Sequence, residues 1–343
     1  MTVRVGINGF GRIGHSFYRA LLARGDAAAV ELVAVNDPMG DSATMAFLLK
    51  HDSVGGTLQH EVKASDAGFS VDGQEVRKLE VMNPAEIPWG DHGVDVVIES
   101  TGLFTARDAA AAHLQGGARR VVISAPSGDA DATICMGVND AVFDPAAHTV
   151  ISNASCTTNC LAPLAKVVND RFGIEQGLMT TVHAYTTDQS LQDLAQTSRK
   201  GTPDLRRMRA AALSIIPASS GAARAIGQVL PELDGRLDGA ALRVPVPVGS
   251  ITDLSAQVRE PASVDDLNAA FAAAANDPAY RGVLEYSDEP LVSADIVGNP
   301  ASCIFSARDT MANGNLIKVL GWYDNEWGFS NRLVDLVAFV GAA

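Results

Sequence analysis

The chain of 343 residues carries four cysteines and no apolar run near the roughly 20 residues of a membrane span, so it is neither a disulfide scaffold nor a helical membrane protein. Apolar residues make up 47% and charged residues 19%, the balance of a globular protein long enough for two α/β domains rather than one core. A formal net charge of −14 sets it against nucleic acid or an anionic membrane as a standing partner.

The opening Met1-Thr-Val-Arg-Val-Gly-Ile7 has neither a long apolar core nor a small-residue cleavage site. No signal peptide is read, and a reducing cytoplasm is the expected location. Val3–Ile7 is a short β-prone run, and a helical pattern then passes through Phe17, Ala20 and Leu21 toward Ala23. Between them lies Asn8-Gly-Phe-Gly-Arg-Ile-Gly14, in which Gly9, Gly11 and Gly14 form G-x-G-x-x-G. The first glycine permits a tight turn, the second a close approach to a pyrophosphate, and the third helix–strand packing. The helix N-terminus adds N–H groups and a positive dipole end.

Alone, the motif also fits a glycine-rich turn with no ligand. The next β run, Glu31–Val35, shifts the balance because it ends in Asn36-Asp37. An acidic residue about 20 residues past the loop suits the hydroxyls of an adenosine ribose and repels a 2′-phosphate, which favours NAD over NADP. Asp37 also precedes Pro38, so a plain turn residue is the alternative. Val94–Ile98 and Arg120–Ser124 are near-continuous apolar runs, as expected of parallel strands covered on both faces. Thr101, Gly102 and Ser124 follow them, at strand ends where a cofactor is expected.

Thr149–Ser152 reads as one more strand, followed by Asn153-Ala-Ser-Cys-Thr-Thr-Asn-Cys160 and a helical pattern from Leu161 to Val168. Pro163 suggests that this helix is still in its first turns there. Cys156 is thus expected near a helix N-terminus, where dipole and N–H groups favour thiolate over thiol. A small buried hydrophobe is the alternative. Cys156 and Cys160 are only two thiols with no nearby Cys/His pair, so no metal is expected. Gly177–His183 reads as a strand delivering His183 to its end. A cysteine at a helix start and a histidine at a strand end are the parts of an activated thiol. An acidic chain must gather its cations locally to hold phosphate. Arg206, Arg207 and Arg209 form such a cluster, or else a solvated charged face.

Four segments together resemble the glyceraldehyde-3-phosphate dehydrogenase family: Asn8–Gly14, Ser152–Cys160, Thr180-Thr-Val-His-Ala-Tyr-Thr186 and Trp322-Tyr-Asp-Asn-Glu-Trp-Gly328. The resemblance runs from the first strand to the last helix. It implies an α/β protein with a Rossmann-type doubly wound parallel sheet in residues 1–155, completed by a C-terminal helix in 325–343. A second, α+β catalytic domain is implied in 156–324. It also implies a homotetramer and a glycolytic oxidation of D-glyceraldehyde 3-phosphate by NAD and inorganic phosphate through a thioester on Cys156. By position, Cys156 resembles the nucleophile and His183 its base. Ser155, Thr157, Thr186, Arg207, Ser220, Gly221 and Arg243 match positions that hold substrate phosphate or inorganic phosphate. Gly9, Gly11, Arg12, Ile13, Gly14, Asp37, Met82, Thr101, Ser124 and Asn325 are the cofactor set, with Asn325 matching the residue that holds the nicotinamide carboxamide.

The chain departs from the family pattern in places. His15 stands where Arg is usual and is expected on the helix surface. Met82 replaces an Arg whose family contact is a backbone carbonyl. Ser220 replaces Thr but keeps the hydroxyl, and Phe329 replaces Tyr. The segment Leu194-Ala-Gln-Thr-Ser-Arg-Lys-Gly-Thr-Pro203-Asp204 is longer than the family's usual turn, with Ala195 where Pro is common. It is either a harmless surface extension or a reshaped entrance to Cys156 that excludes a bulky electrophile, as in an inhibitor-resistant isoform. Two rival functions share these parts: an erythrose-4-phosphate dehydrogenase, and a non-catalytic NAD-binding redox sensor with Cys156 as peroxide target.

Overall fold

Strand and helix alternate from the start of the chain: β1 (Val3–Asn8), α1 (Arg12–Arg24), β2 (Val30–Asn36) and α2 (Ser42–Lys50). The computed structural model describes residues 2–195 and 204–343. They divide into two units, one of Met1–Ile134, Asp140–Ala154 and Ser330–Ala343, the other of Cys135–Asn139 and Ser155–Phe329.

The first unit continues through β3 (Val62–Ser65), β4 (Gly68–Val71), β5 (Gln74–Leu79), β6 (Val96–Glu99), α3 (Arg107–Gln115), β7 (Arg120–Ile123), β8 (Ala132–Thr133) and β9 (Val150–Ser152). Its sheet runs β8-β9-β7-β6-β1-β2-β5-β4-β3. Pairing is parallel from β8 across to β5, and the last two pairs are antiparallel. The order reverses beside β1, the switch point where ligands sit in doubly wound sheets. β6, β7 and β9 are buried at every position, which is why they read as unbroken apolar runs.

In the second unit, α4 (Cys156–Phe172) leads to β10 (Ile174–Ala184), β11 (Ile216–Ser219), β12 (Leu237–Val244), β13 (Ser250–Val258), α5 (Val264–Ala275), β14 (Leu284–Ser287), β15 (Cys303–Ser306), β16 (Met311–Asn313) and β17 (Leu316–Tyr323). The mixed sheet runs β11-β12-β10-β13-β17-β15-β14, with β16 on β17. Buried residues alternate with half-buried or exposed ones along β13 and β17, so one face of each is covered, and α4 packs on both strands. Leu161, Leu164 and Val168 of α4 are fully buried, each contributing about 2 kcal/mol by leaving water.

Two local expectations are corrected. Pro163 lies well inside α4 rather than in its first turns. A capped N-terminus and burial on both sides outweigh a missing N–H that costs about 3 kcal/mol. His15 is buried, at 7% exposure, because α1 is covered at every residue from Gly14 to Leu21 and has no surface side there. Its ring stands edge-on to Phe10 at 4.4 Å, and burial, then Arg12, lowers its pKa to about 4.

The last helix, α6 (Trp327–Gly341), begins in the second unit and ends in the first. Within the first unit, Arg24 of α1 donates to Asn331 Oδ1 at 3.0 Å and pairs with Asp335. Arg120 donates to the Val340 carbonyl at 2.9 Å.

Candidate active site

Asn8 ends β1, and Gly9 turns the chain with φ +91°; a Cβ there would lie 2.7 Å from the Thr101 nitrogen. A Cβ at Gly14 would lie 3.0 Å from the Gly9 carbonyl oxygen, so helix and strand approach as closely as glycine allows. Gly11 caps α1 without a side-chain hydrogen bond, is exposed, and has open space where its Cβ would be. This uncapped helix head with clear space above its glycine fits the pyrophosphate of a dinucleotide.

Asp37 reaches the loop from the end of β2: Oδ2 accepts from the Phe10 N–H at 2.8 Å and Oδ1 from Met39 at 2.9 Å. Arg12 turns its guanidinium to Asp52. Ile13 is half-buried beside it. Met82 projects into solvent, while Val81 before it exchanges bonds with the Asn36 amide at 2.8 and 2.9 Å. Ser124 donates from N and Oγ to the Glu99 carbonyl, at 3.0 and 3.1 Å.

Sequence reasoning missed what lies beneath this loop. The buried Glu99 carboxylate accepts from Asn8 Nδ2 at 2.6 Å, Thr101 N at 2.8 Å and His113 Nε2 at 3.0 Å. Trp89 Nε1 donates to His113 Nδ1 at 3.1 Å, which assigns the ring proton to Nε2. Polar residues at strand ends were the available signal.

In the second unit, Ser155 caps α4 by accepting from Thr158 N at 2.9 Å, and Cys156 is the first helical residue. His183 lies at the end of β10, and its Nε2 is 3.4 Å from Cys156 Sγ. The parallel register of β10 and β12 sets Arg243 beside His183. His183 Nδ1 lies 2.7 Å from the Ala184 carbonyl oxygen and 2.9 Å from Arg243 Nη1. A carbonyl can only accept, and Arg243 Nη1 has that same carbonyl and Thr186 Oγ1 as acceptors, at 3.0 and 3.1 Å. The proton therefore sits on Nδ1, and bare Nε2 faces the sulfur.

Burial, with Arg243 next, lowers the His183 pKa to about 3, so the ring is a neutral base. The expectation of a resting thiolate is corrected in direction. Burial pushes the half-buried Cys156 thiol up, and Arg243 and the Thr157 N–H and hydroxyl oppose this without reversing it. The Thr157 hydroxyl also meets Tyr323 OH at 2.8 Å in a buried cluster with Thr181.

Thr186 and Arg207 both bind Asp188, and Arg207 Nε donates to Asp204 at 3.1 Å. Arg243 Nε has no partner among the described residues. Ser220 Oγ accepts from Ala222 N at 3.2 Å, and the exposed Gly221 has open space at its Cβ position. No hydrogen bond among the described residues joins either to Cys156 or Arg207. Asn325 Oδ1 accepts from Gly249 N at 3.2 Å and Ser250 Oγ at 2.9 Å, which leaves its Nδ2 to donate. Leu194 is exposed and bonded to the Met208 carbonyl at 3.1 Å. Residues 196–203, on which the excluded-electrophile reading rests, lie outside the described residues. Among the described residues no cluster suits a metal, and no helix is long and apolar enough to cross a membrane.

A glycine-cradled loop that fits a dinucleotide, in one unit, and a thiol facing a bare imidazole nitrogen, in the other, are the parts expected of a dehydrogenase that uses cysteine. Residues 3–107 match the family model of the glyceraldehyde 3-phosphate dehydrogenase NAD binding domain, and residues 155–325 that of its C-terminal domain. The chain is similar to the glyceraldehyde-3-phosphate dehydrogenase of Streptomyces coelicolor, 56% identical over 342 residues and 99% of each chain. It is 58% identical over 345 residues to that of Mycobacterium avium, again 99% of each. Glyceraldehyde-3-phosphate dehydrogenase 2 of Streptomyces arenae is 56% identical over the whole of both chains. The chain belongs to the glyceraldehyde-3-phosphate dehydrogenase family.

Proposed function

We propose that this chain oxidises D-glyceraldehyde 3-phosphate to 1,3-bisphosphoglycerate with NAD and inorganic phosphate, through a thioester on Cys156. The observation that carries this is the 3.4 Å approach of Cys156 Sγ to an imidazole nitrogen left bare by the bond at Nδ1. As Sγ adds to the aldehyde carbon, Nε2 takes the thiol proton and returns it to the carbonyl oxygen, giving a hemithioacetal. The bound nicotinamide supplies the hydride acceptor. Nε2 removes the hydroxyl proton as the C–H bond breaks, a service worth about 10²–10⁴-fold. The carbonyl of the resulting thioester is attacked by phosphate, and Cys156 leaves as thiolate. Arg243 with Thr186, and Arg207 with Ser155, Ser220 and Gly221, hold the two phosphate groups, because guanidinium forks match phosphate oxygens.

In this reading NAD occupies residues 1–155 with 325–343, through the Gly9–Gly14 loop, Asp37, Met82, Thr101, Ser124 and Asn325. Residues 156–324 carry the chemistry. The enzyme works in the cytoplasm as a homotetramer, and exposed Leu178, Leu213 and Ile215 support such assembly. The segment 195–203 excludes bulky electrophiles; equal thiol labelling by a bulky epoxide after trimming 196–201 would remove that part. The test of the whole is NADH formation from glyceraldehyde 3-phosphate, NAD and phosphate. Steady turnover is expected only with all three present. Phosphate-independent turnover, or faster turnover of erythrose 4-phosphate, would replace the reading.

A further inference from the structure

The groups assigned to phosphate are already held by a carboxylate. Asp188 lies two residues beyond Thr186 in the turn after β10. Its Oδ1 accepts the Thr186 hydroxyl proton, and its Oδ2 accepts from Arg207 Nη1. Thr186 Oγ1 in turn accepts from Arg243 Nη1 at 3.1 Å, and Arg207 Nε donates to Asp204 Oδ2 at 3.1 Å. One carboxylate therefore bridges a donor of each phosphate group.

A hydroxyl has one proton to donate, so Thr186 cannot serve Asp188 and a substrate phosphate oxygen together. The Nη1 hydrogen of Arg207 used by Asp188 is likewise lost to phosphate until the pair opens. A carboxylate offers a guanidinium two anionic oxygens, as a phosphate does. Asp188 is 38% exposed at its side chain and Arg207 22%, and an ion pair this open contributes little to stability. Its placement is better explained by the ligands of its two partners.

We infer that Asp188 is an internal stand-in for phosphate. It keeps Thr186 and Arg207 aimed while neither anion is bound, yields them to the incoming groups, and lowers the affinity of both positions together. Its charge also speeds departure of a doubly phosphorylated product. Asp188 is thus a positioning residue that acts through Thr186 and Arg207. This rests on the proposed function, which assigns phosphate to those two residues.

Asp188→Asn keeps the size of the side chain and an oxygen to accept from Thr186, but removes the charge. The KM for inorganic phosphate is expected to fall about threefold to fivefold, the range of a partly exposed ion pair. Inhibition by 1,3-bisphosphoglycerate should tighten in parallel. Asp188→Glu, which restores the charge, should return both values toward wild type. Binding of inorganic phosphate alone, followed by ³¹P line broadening, should tighten in the Asn variant without reference to any aldehyde. A phosphate KM and a phosphate affinity that stay level or weaken in the Asn variant would overturn the inference. Absence of wild-type turnover overturns the proposed function instead, and the phosphate-binding comparison still decides the role of Asp188.

Discussion

Two helices in this chain begin where the proposed function places negative charge, and they are finished in opposite ways. At the head of α1, Gly11 is exposed, has open space above it and makes no side-chain cap. At the head of α4, Ser155 caps the Thr158 N–H, and Thr157, Thr158 and Asn159 are buried. Both heads present the same dipole. The open head suits an anion that arrives from solution and is read by backbone shape. The closed head serves one atom of its own, the sulfur of Cys156, and depends on that atom's identity. The open head should therefore tolerate side-chain change that leaves its backbone intact, and the closed head should not.

The sharpest way to break this contrast is at the sulfur. Cys156→Ser keeps the cap and the fold but supplies a hydroxyl in place of the thiol. Turnover should fall by about 10⁴-fold or more, while NAD affinity measured by calorimetry stays at the wild-type value. An equal loss of NAD affinity would mean that the two heads are not separable in function. His183→Asn is the companion measurement, with an expected loss of about 10²–10⁴-fold. Burial, with Arg243 next, lowers the His183 pKa to about 3, so the ring is neutral near neutral pH and free to accept a proton in the proposed reaction. Without it the raised Cys156 thiol must ionise unaided. The residual rate should then climb steadily into alkaline pH, and a flat residual profile would argue against proton transfer to Nε2.

Beside the open head, the one side chain proposed to contact the cofactor directly is Asp37, just past β2. Asp37→Asn keeps one acceptor for the Phe10 or Met39 N–H but removes the charge proposed to face the ribose. The kcat/KM for NAD should fall about tenfold, the cost of a charged hydrogen bond made neutral. The kcat/KM for NADP should rise relative to it. Unchanged preference would show that Asp37 only ties β2 to the loop.

How much of this was legible without coordinates follows the same division. β1, β2, β6, β7, β9 and the helix bearing Cys156 are contiguous patterns, visible as apolar runs or helical spacing, and they fall within a few residues of expectation. The glycine loop is also contiguous, so its geometry was open to a local reading. The surroundings of the sulfur are not. His183 meets Arg243 only through the register of two parallel strands, and Thr157 and Thr181 converge on Tyr323 from far along the chain. Glu99 with His113, and Asp188 with Arg207, are likewise products of tertiary placement. Spacing carries no trace of such pairs. The direction of the Cys156 shift was misjudged for the same reason: a helix head can be inferred locally, but burial cannot.

His15 yields the most particular test, because it lies in α1 just past the open head, where the family pattern has Arg. Its buried Nε2 has no hydrogen-bond partner among the described residues, so a neutral replacement loses no bond there. The folded-state pKa of about 4 lies below the ordinary 6.5. Above pH 6.5 the ring is neutral in both folded and unfolded chains and does not affect their balance. As pH falls below that value the unfolded chain takes up a proton that the folded chain refuses, and stability is lost until the folded ring also protonates. At pH 5 this amounts to about 2 kcal/mol. His15→Leu should remove that share of the acid sensitivity, so the gap between wild type and variant in urea unfolding should favour the variant more at pH 5 than at pH 7. Because Phe10 of the glycine loop packs against this ring, the wild-type loop should also loosen on the acid side while the variant's holds. Parallel loss of stability in the two proteins from pH 7 to pH 5 would show that the ring is protonated without penalty and that the open head does not rest on a neutral His15.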